Sequence, residues 1–217
     1  GNLSINLVRL NFGRNQISRN IPAEIGKLVN LALLDMGQNM LSGQIPLRVG
    51  SFRNLFVLKL SRNRLSGQIP STVGYLPQLG QFYLDDNSLS GNIPATIGQC
   101  KSLDMLNFNN LDGSIPRELL NISSLSLGLD LSNNTLSGPI PSEVSNLINL
   151  GLLNVSNNKL SGSLPSELGL CVQLLSLQIE SNMLNGSIPE SFSALKVIQK
   201  IDLSENNLTG QVPQYFV

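Results

Sequence analysis

Few side chains in this 217-residue sequence could do chemistry, and one absence narrows them at once. There is no histidine, which removes Ser-His-Asp and Cys-His nucleophiles, histidine metal sites and the commonest acid–base residue. The carboxylates are scattered, and Asp85-Asp86 is the one adjacent pair. At the end of a strand such a pair reads as a solvated turn rather than an acid–base dyad. Neither G-x-x-x-x-G-K nor G-x-G-x-x-G occurs, so no loop is built to cradle phosphates. The sequence therefore reads as non-enzymatic, with no cofactor and no metal. What remains is recognition chemistry: cations, amides and a few amphipathic rings. The candidate ligand-binding residues are Arg9, Asn11, Val57, Lys59, Arg62, Gln81, Tyr83, Asp85 and Asp86.

The positions of these residues follow from a repeat. An Ile-Pro, Leu-Pro or Val-Pro pair begins at residues 21, 45, 69, 93, 115, 140, 164, 188 and 212. The spacing is constant except for one short step at Ile115 and one long step at Ile140. Residues 58–79 show the unit clearly: LKLSRNRLSGQIPSTVGYLPQL. A period in the twenties carrying L-x-x-L-x-L-x-x-N-x-L is the leucine-rich-repeat signature. The expected fold is an α/β-type leucine-rich-repeat solenoid of about nine 24-residue repeats, a right-handed curved superhelix. A parallel β-sheet should line its concave face, with 3₁₀ turns and loops on the convex face. Residues 1–217 read as a single array with the caps missing at both ends, an internal section of something larger.

Within the third repeat, Leu55, Leu58, Leu60, Leu65, Ile69, Val73 and Leu76 should point inward, and Leu58-Lys59-Leu60 alternates as a half-buried strand does. Its outward positions, and those of the other repeats, supply the candidate set together with Arg14, Asp35, Gln38, Met105 and Asn107. Repeats three and four are the most individual, so ligand contact is placed toward repeats one to four. The recurring Asn (Asn15, Asn39, Asn63, Asn87, Asn134, Asn158, Asn182 and Asn206) falls where the chain turns off the strand. Its amide offers donors and an acceptor to buried backbone groups there. Later copies repeat L-D-L-S or L-N-V-S and read as soluble filler.

Three departures carry expectations of their own. In repeat five Phe108 runs straight into Asn109, two residues short, which predicts a shortened strand and a disturbed Asn ladder. Arg19 occupies a slot that is glycine in all later repeats, which predicts a strained position. Cys100 and Cys171 take core leucine slots three repeats apart, roughly 14 Å at strand spacing. A disulfide needs Cα atoms within about 7 Å, so both read as buried thiols. The zero net charge conceals a gradient. Residues 1–72 hold nine Lys/Arg against two Asp/Glu, and residues 73–217 hold five against twelve. Without a continuous basic stripe and stacking aromatics this is no nucleic-acid footprint. No run of 18 apolar residues is present, so this segment should make no direct membrane contact.

The sub-pattern L-x-x-N-x-L-S-G-x-I-P resembles the extracellular repeats of plant leucine-rich-repeat receptor kinases and receptor-like proteins. LSGQIP, LDLSNNTLSGPIPSEVSNLINL and LSENNLTGQVP carry the likeness, which is strongest to the rice bacterial-resistance and flagellin-sensing receptor group. The resemblance implies a secreted, N-glycosylated ectodomain at the extracellular face of the plant plasma membrane, on a single-span receptor with a cytosolic Ser/Thr kinase. It implies a peptide or protein ligand and a co-receptor kinase ectodomain as partners, in immune or peptide signalling. Asn2, Asn121, Asn133, Asn154, Asn185 and Asn207 begin N-x-S/T sequons and are the candidate glycosylation sites. Two other readings stand beside this one: a secreted inhibitor resembling the polygalacturonase-inhibiting proteins, and a non-functional receptor fragment.

Overall fold

The structure, a computed structural model, describes residues 4–108 and 110–216. Each repeat opens with a three-residue strand, and the nine strands form one parallel sheet in chain order, from Arg9–Asn11 to Lys200–Asp202. Register is kept throughout: Leu10 pairs with Leu34, Leu34 with Leu58, Leu58 with Phe82 and Phe82 with Leu106. In each case the middle residue is buried, as strand alternation requires. The flanking residues face out of the core, and this sets the surface considered below. One apolar cluster runs from Leu10 to Leu195, so each coil completes its neighbour's core rather than its own.

The chain returns through the Ile-Pro segment. Proline at φ near −65° holds the backbone extended, and a five-residue 3₁₀ turn follows, as in Ala23–Lys27, Ser71–Tyr75 and Ser166–Leu170. Repeat five instead makes one α-helical turn, Arg117–Leu120. The extra residue of repeat six is absorbed just before its strand. There the Gly151 N–H turns to the Ser126 carbonyl while Gly128 still pairs with Met105.

The Asn ladder forms as a hydrogen-bond device linking successive coils. Asn87 Nδ2 donates to the Leu84 and Asp85 carbonyls of its own turn and to the Leu60 carbonyl of the preceding one. Its Oδ1 accepts the Leu65 N–H at 3.0 Å. Among the described residues repeat five departs from this ladder, as expected, but the loss of strand falls elsewhere. Its sheet strand Met105–Asn107 keeps all three residues, so the shortened strand is a correction. The loss falls on the second strand, the S-G segment. That segment forms one sheet of four strands over repeats one to four and another over repeats six to nine. Among the described residues, only an isolated Asn92–Asp112 bridge lies between them. Two missing residues leave too little chain both to turn off the first strand and to extend along the flank. Asn110 closes the turn at φ 64°, with its amide donating to the Asn87 carbonyl. Asn109 lies outside the described residues.

Arg19 does sit in strained backbone, at φ 77°, where Gly43 and Gly67 take 74° and 78°. A Cβ costs about 1–2 kcal/mol in the left-handed region, partly offset because glycine loses more entropy on folding. Arg19→Gly is therefore expected to stabilise the chain by about 0.5–1 kcal/mol, read as a higher urea midpoint at unchanged slope. A midpoint that stays put or falls would show the arginine to be unstrained. Both cysteines are free and buried, and the thiols lie 3.4 Å from the Val73 carbonyl and 3.3 Å from the Val144 carbonyl. Burial pushes both thiols up to about 11, which leaves little thiolate at neutral pH.

Candidate ligand-binding face

The in-step pairing of the sheet decides which outward side chains meet. Lys59 pairs with Tyr83, which puts the ammonium 5.3 Å from the ring centroid, within cation–π range. Tyr83 in turn pairs with Asn107. Just beyond the strands, Ser61 Oγ donates to the Asp85 carboxylate, and Arg62 Nε lies 3.3 Å from Asp86 Oδ2. Both partners of that ion pair are more than half exposed, so it contributes little stability. Burial and the Asp104 and Asp85 charges push the Tyr83 phenol above its usual value. Asp104 lies one residue before its strand. Burial raises its carboxyl, and Oδ1 has no hydrogen-bond partner among the described residues.

Lys59, Ser61, Arg62, Tyr83, Asp85 and Asn107 border a hollow of about 640 Å³ on the solvent face of the sheet. Asn11, Lys59, Arg62, Tyr83 and Asp85 of the candidate set line it. Arg9, Val57, Gln81 and Asp86 do not. The first three begin their strands and stand on the opposite margin of the face, and Asp86 turns to Arg62. Arg14, Asp35, Gln38, Ser61 and Asn107 also line the hollow, along with Gly13 and Gly37. Most of these fall in the two residues just before the ladder Asn. That position in each repeat is the signal the narrower candidate set underused.

The filler residues have a structural task. Asp35 Oδ1 accepts the Gly37 N–H at 3.0 Å, Asp130 the Ser132 N–H at 3.0 Å and Asp202 the Ser204 N–H at 3.2 Å. Asn11 and Asn154 make the same bridge two residues onward. The Ser204 hydroxyl also donates to Asp202, and these bonds hold its carboxyl below the usual range. L-D-L-S is thus a strand-end turn, fixed side chain to backbone.

Of the sequon residues, Asn121, Asn133, Asn185 and Asn207 are exposed, Asn154 is half-buried on the sheet, and Asn2 lies outside the described residues. Asn121 Oδ1 accepts from Asn146 Nδ2 at 2.8 Å. Among the described residues, no His/Cys/Asp/Glu group could hold a metal ion, and no helix is long and apolar enough to cross a membrane.

The family profile described as Leucine Rich Repeat matches residues 6–28, 54–76, 128–147, 149–171, 173–195 and 198–217, more than half of the chain. The chain belongs to the leucine-rich-repeat family. Comparison with curated proteins gives no match. Among solved structures it is similar to the ectodomain of the Arabidopsis thaliana membrane receptor kinase GASSHO1/SCHENGEN3, in complex with CASPARIAN STRIP INTEGRITY FACTOR 2. The identity is 39% and the TM-score 0.94, covering 97% of this chain and 26% of that one. It is also similar to the Arabidopsis receptor kinase HAESA in complex with the peptide hormone IDA and the co-receptor SERK1. Here the identity is 33% and the TM-score 0.79, covering 94% of this chain and 39% of that one. A plant ice-binding protein matches at 32% identity and TM-score 0.83, covering 96% and 67%. The chain spans about a quarter to two-fifths of the receptor ectodomains it matches. Its structural neighbours include plant leucine-rich-repeat receptor kinase ectodomains.

Proposed function

We propose that this chain is a ligand-recognition section of a plant receptor kinase ectodomain, at the extracellular face of the plasma membrane, in immune or peptide signalling. Its ligand is a peptide or protein held on the exposed face of the nine-stranded sheet, and a co-receptor ectodomain is its second partner. The hollow lined by Lys59, Tyr83, Arg62 and Asp85 carries this reading: it joins an amphipathic ring to unlike charges on a rigid sheet. The two similar receptor structures hold a named factor and a peptide hormone, and one includes a co-receptor. Within the receptors, the LSGQIP and LTGQVP repeats favour the bacterial-resistance and flagellin-sensing group. Asn121, Asn133, Asn154, Asn185 and Asn207 are its glycan attachment points, with those at Asn133 and Asn154 crowding repeats six and seven and leaving repeats one to four open.

The test combines Tyr83→Ala with Lys59→Glu. Ligands captured by the 217-residue chain from plant-wall and microbial extracts are identified by mass spectrometry, synthesised and titrated against both proteins. A paired anchor is worth at least about 2 kcal/mol, so affinity should fall about 30-fold or more while circular dichroism stays unchanged. Unchanged affinity would remove the site from repeats three and four.

A further inference from the structure

The charges on the sheet face are ordered along the solenoid. Repeats one to three present Arg9, Arg14 and Lys59, and the described residues hold only two ion pairs, Arg62–Asp86 and Arg117–Glu118. Three cations are thus left on one stretch of the face with no carboxylate bridging them. Asp35 lies among them, one carboxylate against three cations, with its Oδ1 accepting the Gly37 N–H. From repeat four onward the sign reverses. Asp85, Asp104, Asp130 and Glu180 follow one another, and no Lys or Arg stands on a strand of the nine-stranded sheet between Lys59 and Lys200. Asp104 Oδ1 and Glu180 Oε2 are buried acceptors without a donor among the described residues.

We infer that the ligand is an extended peptide with a split charge, its acidic segment seated over Arg9, Arg14 and Lys59 and its basic segment over Asp85, Asp104 and Asp130. This rests on the peptide-receptor reading above and gives the ligand's chemistry and its direction along the array. Within the hollow, Arg14, Lys59 and Arg62 outnumber Asp35 over the first three repeats and Asp85 stands at the other end, so a uniformly charged chain meets repulsion at one of them. That disfavours an acidic wall polysaccharide, whose charge has one sign along its length. From repeat one to repeat six there are five strand spacings, about 24 Å, which an extended peptide covers in about seven residues.

A library of random ten-residue peptides displayed on phage is selected against the 217-residue chain in low salt. The expected pool carries Asp or Glu clustered at one end and Lys or Arg at the other, in one consistent order. Binding of these peptides should fall at least about tenfold in 0.5 M salt, where screening is strong. Arg14→Glu with Lys59→Glu should abolish it, and the milder Arg14→Gln with Lys59→Gln should weaken it at least about tenfold with the fold unchanged by circular dichroism. Selected peptides with no charge order, or indifferent to the glutamine pair, overturn the split-charge ligand and leave a peptide receptor standing. No selected peptide, with polygalacturonate bound instead, overturns both.

Discussion

Asn182→Ala is expected to lower the unfolding free energy by about 3–6 kcal/mol, more than any change on the outer face. The amide of Asn182 donates to the Ile179 and Glu180 carbonyls and to the Val155 carbonyl of the preceding coil, at 3.0–3.3 Å. Its Oδ1 accepts the Leu160 N–H at 2.9 Å. The residue is buried, so alanine leaves the Leu160 N–H without its acceptor and takes one donor from each of three carbonyls. Those of Val155, Ile179 and Glu180 keep the Asn158 amide, the Asn206 amide and the Asn157 N–H respectively. The unsatisfied donor costs about 1–3 kcal/mol and each of the three lost hydrogen bonds about 0.5–1.5 kcal/mol. Asn182→Asp should do no better, because a carboxylate keeps the acceptor but sets a second oxygen, with no proton to donate, against three carbonyl oxygens. Asn15 provides the internal control. It is exposed and, among the described residues, its side chain bonds only the Phe12 and Gly13 carbonyls, so Asn15→Ala should cost about 1 kcal/mol or less. Urea unfolding measures both, and hydrogen exchange should show the Asn182 loss centred on repeats seven and eight, since each coil contacts only its neighbours. Equal costs for the two alanine variants would mean that the ladder is not a structural support.

Phe108→Ala should cost about 3–5 kcal/mol, at the upper end of large-to-small core changes. Among the described residues, repeat five has neither the full set of ladder Asn bonds nor a second strand, so its hold on repeat four rests heavily on packing. Phe108 and Phe82 are both fully buried and meet edge to face, with ring centroids 5.3 Å apart and planes at 88°. Such a pair is worth about 0.5–1.5 kcal/mol beyond the area it buries. A double-mutant cycle with Phe82→Leu and Phe108→Leu should return that coupling, since leucine is the usual occupant of both slots. Coupling near zero, with Phe108→Ala costing well below the range for a buried aromatic, would show that repeat five is held some other way.

The repeat itself was plain from the chain alone because its code is local and redundant. A leucine at a fixed offset buries the same way in every copy, so Leu55, Leu58 and Leu60 could be placed inward and Lys59 and Tyr83 outward without coordinates. The same holds for the ladder, since an Asn at a strand end has both the donors and the acceptor that a buried turn lacks. Arg19 was legible for the converse reason: one non-glycine in a glycine column points to backbone geometry rather than packing.

Three-dimensional stacking decided the rest. Which outward residues share a hollow depends on register between coils, so Arg14 and Asp35 join Lys59 while Arg9, Val57 and Gln81 stand on the other margin. The two-residue loss in repeat five spared the main sheet and divided the flanking one. The main strand is held by pairing to a neighbour on each side, whereas the flanking segment had only the spare chain to give. Asp130 and Asp202 looked like surface filler and prove to hold the strand-end turn, since a carboxylate's partner two residues onward is a backbone N–H that every residue type but proline carries. Periodicity thus determined the fold, the core and the inward Asn. The site is a matter of distances between side chains one repeat apart in the chain, and only the stacked coils set those.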